Sequence, residues 1–463
     1  MFSRWGAFVY RHRRPVALIA LVIAIAWLFQ LFGTLSISQV NNMGFLMPGG
    51  IVTALGILFL IGAMGKSAQV PLMVWLPDAM AGPTPVSAMI HAATMVTAGV
   101  YLVVRSHVIF EGSPTAQTFV VIVGAITLIF GAIVGCAKDD IKKVLAASTM
   151  SQIGYMMLAA GLGPVGYVFA IFHLLNHGFF KAGMFLGAGS VMHGMNDQVD
   201  MRRFGNLSGA MKITWVTFGI GWLSIMGIPP FSGFYSKDKI IETAFIGEGW
   251  RPWIFGGAAL IGAGITAFYM SRLFFMTFQG KKRWPKDAHP HESPKRMTVP
   301  MIVLAIGSAF LGLILGPTNA IQDWLAPVFG PQVEGEPVIA VPVLMTVTLL
   351  IVFVGIALAW QQYWHEAVPV VAPVGSPLTR AARQDLYQDD VNEALLMRPG
   401  LHLTRSLVFF DTRGVDGAVG GLAALIGGAS ARWRRVQNGF VRSYALTMLA
   451  GVVVILGAVW VVQ

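Results

Sequence analysis

Cysteine is nearly absent from this chain, with one residue, Cys136, in 463. A disulfide framework, a four-cysteine iron–sulfur ligand set and a cysteine zinc site are thereby excluded. Charge is scarce as well, at 11% of residues, and positions 15–65 hold no aspartate or glutamate. Two stretches, 34–48 and 317–337, hold no lysine or arginine. Apolar residues fill the space, 56% of the total with a mean hydropathy of +0.69. Such a composition specifies a polytopic membrane protein and not a soluble domain.

Apolar runs of spanning length fall at 15–33, 49–66, 84–105, 117–137, 141–162, 164–192, 210–228, 252–279, 297–316, 338–361 and 441–462, about eleven in all. The expected fold class is an all-α polytopic bundle. Its net charge of +11 would suggest nucleic acid in a soluble protein, but here it sorts by loop. With the N-terminus in the cytoplasm, Arg4, Arg11, Arg13, Arg14, Lys138, Lys142, Lys143, Arg202, Arg203, Lys212, the run 281–286, Lys295 and Arg296 all lie inside. The two loops free of lysine and arginine lie outside, as the positive-inside rule requires, and so does the C-terminus. No nucleic-acid partner is expected. The start, MFSRWGAFVYRHRR, has a signal peptide's basic and apolar regions without a convincing cleavage site, so it reads as an uncleaved span.

The stretch that organises the rest is FHLLNHGFFKAGMF, Phe172 to Phe185. His173, His177 and Lys181 recur at i, i+4 and i+8, so they stack on one helix face at about 6 Å per step. Ionisable groups in so apolar a segment usually face a bundle interior or a hydrated path. Three groups that give and take protons, in one row, fit a proton wire. Snorkelling, plain helix packing and a bis-histidine haem site compete with that reading. Apolar residues on both sides of Lys181 make snorkelling hard, and a haem would want histidines on facing helices. His91, early in the span 84–105, gains interest only from this company.

Two interruptions accompany the row. Lys66 closes the run 49–66, and Pro71, Pro77, Pro83 and Pro85 follow it. A second break, GIPPFSGFYSKDK, precedes Lys237, Asp238 and Lys239. Proline frees backbone carbonyls, which is tolerable in a membrane only inside protein or beside water. Paired broken helices in corresponding positions point to an internally repeated transporter, while interfacial loops with charges are the plainer alternative. Asp139, Asp140, Lys142 and Lys143 form a charged turn before a helix, either a solvated cap or a site of proton uptake at Asp140. His289 and His291 read as loop residues. From Thr379 to Val441 charged and apolar residues alternate at helical spacing, which suits an amphipathic helix along the membrane surface.

Four blocks, GKSAQVPLMVWLPDAMAGPTPVSAMIHAATMVTAGVYL, DDIKKVLAASTMSQIGYM, FHLLNHGFFKAGMFL and GIPPFSGFYSKDKII, resemble the antiporter-like membrane subunits of respiratory complex I. The resemblance covers roughly 33–463 and is greatest to the subunit L type in an actinobacterial-like version. It implies two inverted repeats with broken helices, redox-driven proton translocation and a long lateral helix. The expected parts are an atypical basic start at 1–48, the remainder of a first repeat at 49–113 and a second repeat at 114–280. C-terminal spans at 281–361, the lateral helix at 362–440 and an anchor at 441–463 complete them. The resemblance places the proton path on Lys66, His91, His173, His177, Lys181, Lys237 and Asp238, with Asp140 matching the acid of the family's DIK motif.

It also implies that this chain holds no redox cofactor of its own. NADH, FMN, iron–sulfur clusters and quinone would belong to partner subunits, among them antiporter-like subunits M and N and subunits K and J. The location implied is the bacterial plasma membrane. Against the family pattern, the chain starts at about the sixth span, without the glutamate that pairs with the lysine matched by Lys66. Residues 1–32 instead weakly resemble the first segment of MMPL-type lipid transporters. An Mrp-type cation/proton antiporter and a truncated non-conducting assembly fragment are the alternative functions.

Overall fold

The computed structural model describes residues 2–43, 48–286, 288–333, 335–435 and 437–462, and the side chains of 2–16, 43 and 396 lie outside that description. The basic cluster Arg4, Arg11, Arg13 and Arg14 is among those side chains.

Every expected span is helical. In chain order they are α1 (Phe2–Phe32), α2 (Gly49–Lys66), α3 (Thr84–Ala92), α4 (Ala98–Arg105), α5 (Pro114–Ala137), α6 (Ile141–Gly161) and α7 (Tyr167–Gly194). There follow α8 (Lys212–Met226), α9 (Ser232–Ala244), α10 (Arg251–Phe278), α11 (Lys295–Leu315) and α12 (Val341–Trp360). Seven helices among the described residues are long and apolar enough to cross a membrane unaided. Among the others, α6 and α7 dilute their apolar faces with Ser, Thr, Gln, His and Lys, and the broken helices are short. The run 84–105, expected as one span, is two helices, because residues 93–97 leave the helical path between α3 and α4.

The chain forms two units, Met1–Asp389 and Asp390–Gln463. At the centre of the first lies α6, buried on every side from Val144 to Gly161. A helix enclosed all round needs small residues where neighbours cross it. Against α5, a methyl on Gly154 would come 2.5 Å from the Leu128 nitrogen, and one on Gly124 would come 2.4 Å from the Leu158 nitrogen. These are backbone contacts that side-chain motion cannot relieve, and close approach through small residues is how membrane helices bind each other. Gly154→Ala is therefore expected to cost about 1–3 kcal/mol by forcing the pair apart, read as a lower melting temperature of the detergent-solubilised protein.

The stretch 362–440, expected as a lateral helix, is not helical throughout. Pro369, Pro373, Gly375 and Pro377 keep 366–376 out of a helix, Pro377–Arg383 is one short helix, and the left-handed φ of Asp385, Leu386 and Tyr387 (51–58°) separates it from the helical run that starts at Gln388. Residues 377–389 belong to the first unit, where the Lys138 ammonium holds the Asp385 carboxylate and the Arg383 carbonyl, each at 2.8 Å. The second unit, taken by itself, is helical up to Arg434 and ends in the apolar helix Val441–Val462.

Candidate proton path

Helix α7 carries His173, His177 and Lys181 fully out of solvent, with no exposed surface on any of the three. The rings of His173 and His177 stand 6.4 Å apart, as one helical turn requires. Each group meets a polar partner from a different helix. His173 is held by both ring nitrogens, Nδ1 at 2.9 Å from Ser236 Oγ on α9 and Nε2 at 3.0 Å from Gln152 Oε1 on α6. Lys181 donates a short hydrogen bond to Ser148 Oγ on α6.

The histidine on the next turn explains why α3 stops where it does. His177 Nδ1 lies 3.1 Å from the Ala92 carbonyl, which the break at 93–97 leaves without a helical donor. A carbonyl only accepts, so Nδ1 carries the proton and Nε2 is left with a free lone pair. That Nε2 has no partner among the protein atoms. His91, the penultimate residue of α3, is buried beside it on the same route. Its Nδ1 is 3.3 Å from Thr149 Oγ1, its ring packs on Phe185 at 4.8 Å, and its Nε2 is also unpartnered. Phe185 bridges to the row, since Lys181 Nζ lies 5.9 Å above the same ring.

The second break supplies the other end. Met226 closes α8 and Gly227 turns it at φ 81°, a left-handed conformation that suits glycine. Pro229 stands four residues after Ile225 and has no N–H to give it. Lys237 does so instead, from 3.4 Å, with its ammonium 5.2 Å above the Tyr155 ring and 1% exposure. Ser236, one residue earlier, already bonds His173, so α9 joins Lys237 to the row. Asp238 follows on the same helix and is half-buried.

Five of the eight expected residues thus share one buried region, His91, His173, His177, Lys181 and Lys237, and Asp238 lies half-buried next to Lys237 on α9. The other two lie apart. Asp140 caps α6, accepting from the backbone nitrogens of Lys142 (2.8 Å) and Lys143 (3.1 Å). It is about 12 Å along the helix from Ser148. Lys66 ends α2 on the exposed surface of the bundle.

Other residues emerge only from the structure. Ser148, Thr149 and Gln152 form the polar face of α6, and the i, i+4 spacing of Ser148 and Gln152 within AASTMSQ is the available signal. Lys142 holds the first break by donating to the carbonyls of Met80 (2.7 Å) and Gly82 (2.6 Å). Asp139 binds the buried Arg272 in a short ion pair and Arg202 at 2.9 Å. Nothing in the sequence pairs positions so far apart.

Residues 6–266, more than half of the chain, match the family described as NADH:quinone oxidoreductase/Mrp antiporter, TM. NADH-quinone oxidoreductase subunit L of Mycobacterium tuberculosis (strain CDC 1551 / Oshkosh) is 56% identical over 444 residues, covering 96% of this chain and 70% of that protein. Subunit L of Neisseria meningitidis serogroup A is 40% identical, covering 89% of this chain and 66% of that protein. Among solved structures, the Mrp complex from Dietzia sp. DQ12-45-1b superposes with a TM-score of 0.62 at 25% identity, over 96% of this chain and 45% of that one. The membrane-bound sulfane sulfur reductase, an archaeal respiratory complex, gives 0.61 at 23% identity over 96% and 74%, a likeness of fold. By the family match and by its identity to the mycobacterial and neisserial proteins, this chain belongs to the NADH:quinone oxidoreductase/Mrp antiporter family, on the branch of NADH-quinone oxidoreductase subunit L.

Proposed function

We propose that the row from His91 through Lys181, His177 and His173 to Lys237 carries protons across the membrane, driven by electron transfer elsewhere in an NADH-quinone oxidoreductase. The observation that carries this reading is the complete burial of His173, His177 and Lys181 on one face of α7, each against a polar group of another helix. Unpartnered polar atoms recur along it: Nε2 of His91 and His177, Nε2 of Gln152 and Oγ of Ser151. Buried polar groups of this kind are normally satisfied by bound water. Water at those atoms would close the gaps between side chains and let protons hop.

Lys181 is the central switch. A buried lysine changes its proton affinity strongly with nearby charge, so a proton arriving at His177 or leaving toward His91 would alter what Lys181 holds. Lys237, with Asp238 beside it, governs exchange at the far end. Each proton moved across 100 mV costs about 2.3 kcal/mol, and partner subunits supply it. NADH, flavin, iron–sulfur clusters and quinone are placed in those partners, in keeping with the single cysteine here. The expected neighbours are subunits M, N, K and J in the bacterial plasma membrane. The basic loops face the cytoplasm and the C-terminus faces out.

The likeness to the Dietzia Mrp complex favours a second reading, cation/proton antiport without electron transfer. Inverted membrane vesicles from a deletion strain, with and without the restored gene, separate the two. Proton uptake that follows NADH oxidation, is unaffected by sodium and falls in Lys237→Ala supports the redox-driven pump. Sodium-dependent proton movement without NADH contradicts it.

A further inference from the structure

The outer faces of α8 and α11 enclose a groove of about 390 Å³, away from the buried row. Its walls are Val216 and Ile220 from α8 and Ile302, Ile306 and Phe310 from α11. Four of these are 40–56% exposed, so the groove opens along its length to the outside of the bundle. At one end the lining becomes basic, because Lys212, the first residue of α8, forms part of it. Lys295, the first residue of α11, precedes Ile302, Ile306 and Ala309 by 7, 11 and 14 positions, the spacing that keeps a helical residue on one face. Both lysines are exposed. Two ammonium groups therefore stand at the mouth of an apolar slot.

The neighbouring acid forms no ion pair with either lysine, and one carboxylate against two ammonium groups leaves the mouth net positive. Glu292 is committed to the start of α8, accepting from the backbone nitrogens of Ile213 (2.7 Å) and Thr214 (3.2 Å) and from Thr214 Oγ1 (2.5 Å).

We infer that this groove binds an anionic phospholipid, one acyl chain lying between α8 and α11 and the phosphate meeting Lys212 and Lys295. Basic pockets between helices at a membrane surface select such headgroups. The apolar walls are matched to a hydrocarbon chain, and the exposed lysines need no rearrangement to reach a phosphate at the interface.

The full-length chain, extracted in detergent and stripped of lipid, would be titrated with dioleoyl phosphatidylglycerol and with dioleoyl phosphatidylcholine and read by native mass spectrometry. The wild type is expected to retain phosphatidylglycerol preferentially. That preference should fall roughly thirtyfold in the Lys212→Gln/Lys295→Gln double variant, as the loss of two basic contacts implies. Ile306→Trp, which fills the slot without touching either charge, should reduce the retention of phosphatidylglycerol severalfold. Equal retention of both lipids by the wild type overturns the proposal. So does undiminished phosphatidylglycerol binding in Ile306→Trp, which would leave only attraction to surface charge. Disulfide capture of a neighbouring subunit through Ile306→Cys in native membranes overturns it too, since a protein would then cover the groove.

Discussion

Lys181→Ala is expected to stop proton transfer through the buried row while the complex still assembles. The ammonium group is fully enclosed and bonded to Ser148, and no other described side chain on α7 stands between His177 and Phe185 to replace it. The variant removes the group that carries the proton between His177 and His91, and a barrier higher by about 3 kcal/mol already slows the step more than a hundredfold. Lys181→Arg should also fail, because a guanidinium keeps its proton at every physiological pH. Ser148→Ala, which leaves the lysine but removes its partner, should fall between wild type and Lys181→Ala. The readout is protons moved per NADH oxidised in sealed vesicles, with assembly followed by native gel. A ratio equal to wild type in Lys181→Ala would remove the lysine from the mechanism.

A different variant is expected to harm the fold itself. Asp139 is the shared carboxylate of Arg272, whose side chain is 2% exposed, and of Arg202, at 7%. Arg272 also donates to the Lys138 carbonyl at 2.5 Å and faces the Tyr363 ring at 5.4 Å. Asp139→Ala leaves two enclosed guanidinium groups without their counter-ion, at a cost of about 3–5 kcal/mol. The expected result is a large loss of folded protein and a lower melting temperature in detergent. Asp139→Ala combined with Arg272→Met should recover part of the loss, because an apolar side chain of similar reach needs no counter-ion. If Asp139→Ala alone melts like wild type, the triad does not hold α10 to the turn before α6.

The places where sequence and structure agree have a common cause. Apolar runs and prolines act locally, so the spans, both breaks and the row on α7 were legible without coordinates. The row needed only the 3.6-residue repeat. What the breaks accomplish was not legible, because it depends on which distant donor reaches each freed carbonyl. His177 serves Ala92, Lys237 serves Ile225 and Lys142 serves Met80 and Gly82, across separations of 12 to 85 positions. Local pattern does not show where Asp140 and Lys66 sit: the Asp140 carboxylate caps α6 and the Lys66 side chain is exposed at the end of α2. The alternation of charged and apolar residues marks the helical stretch near the C-terminus, but not the non-helical segment 366–376, whose mixed composition is similar.

The central claim is that the buried row is hydrated and continuous, and a density map of the assembled complex at a resolution that shows ordered water tests it most directly. Water is expected within hydrogen-bonding distance of Nε2 of His91, Nε2 of His177, Nε2 of Gln152 and Oγ of Ser151, linking His91 and Lys181 to Lys237. A row packed dry, with apolar side chains closing the space between Lys181 and Lys237, would contradict the account.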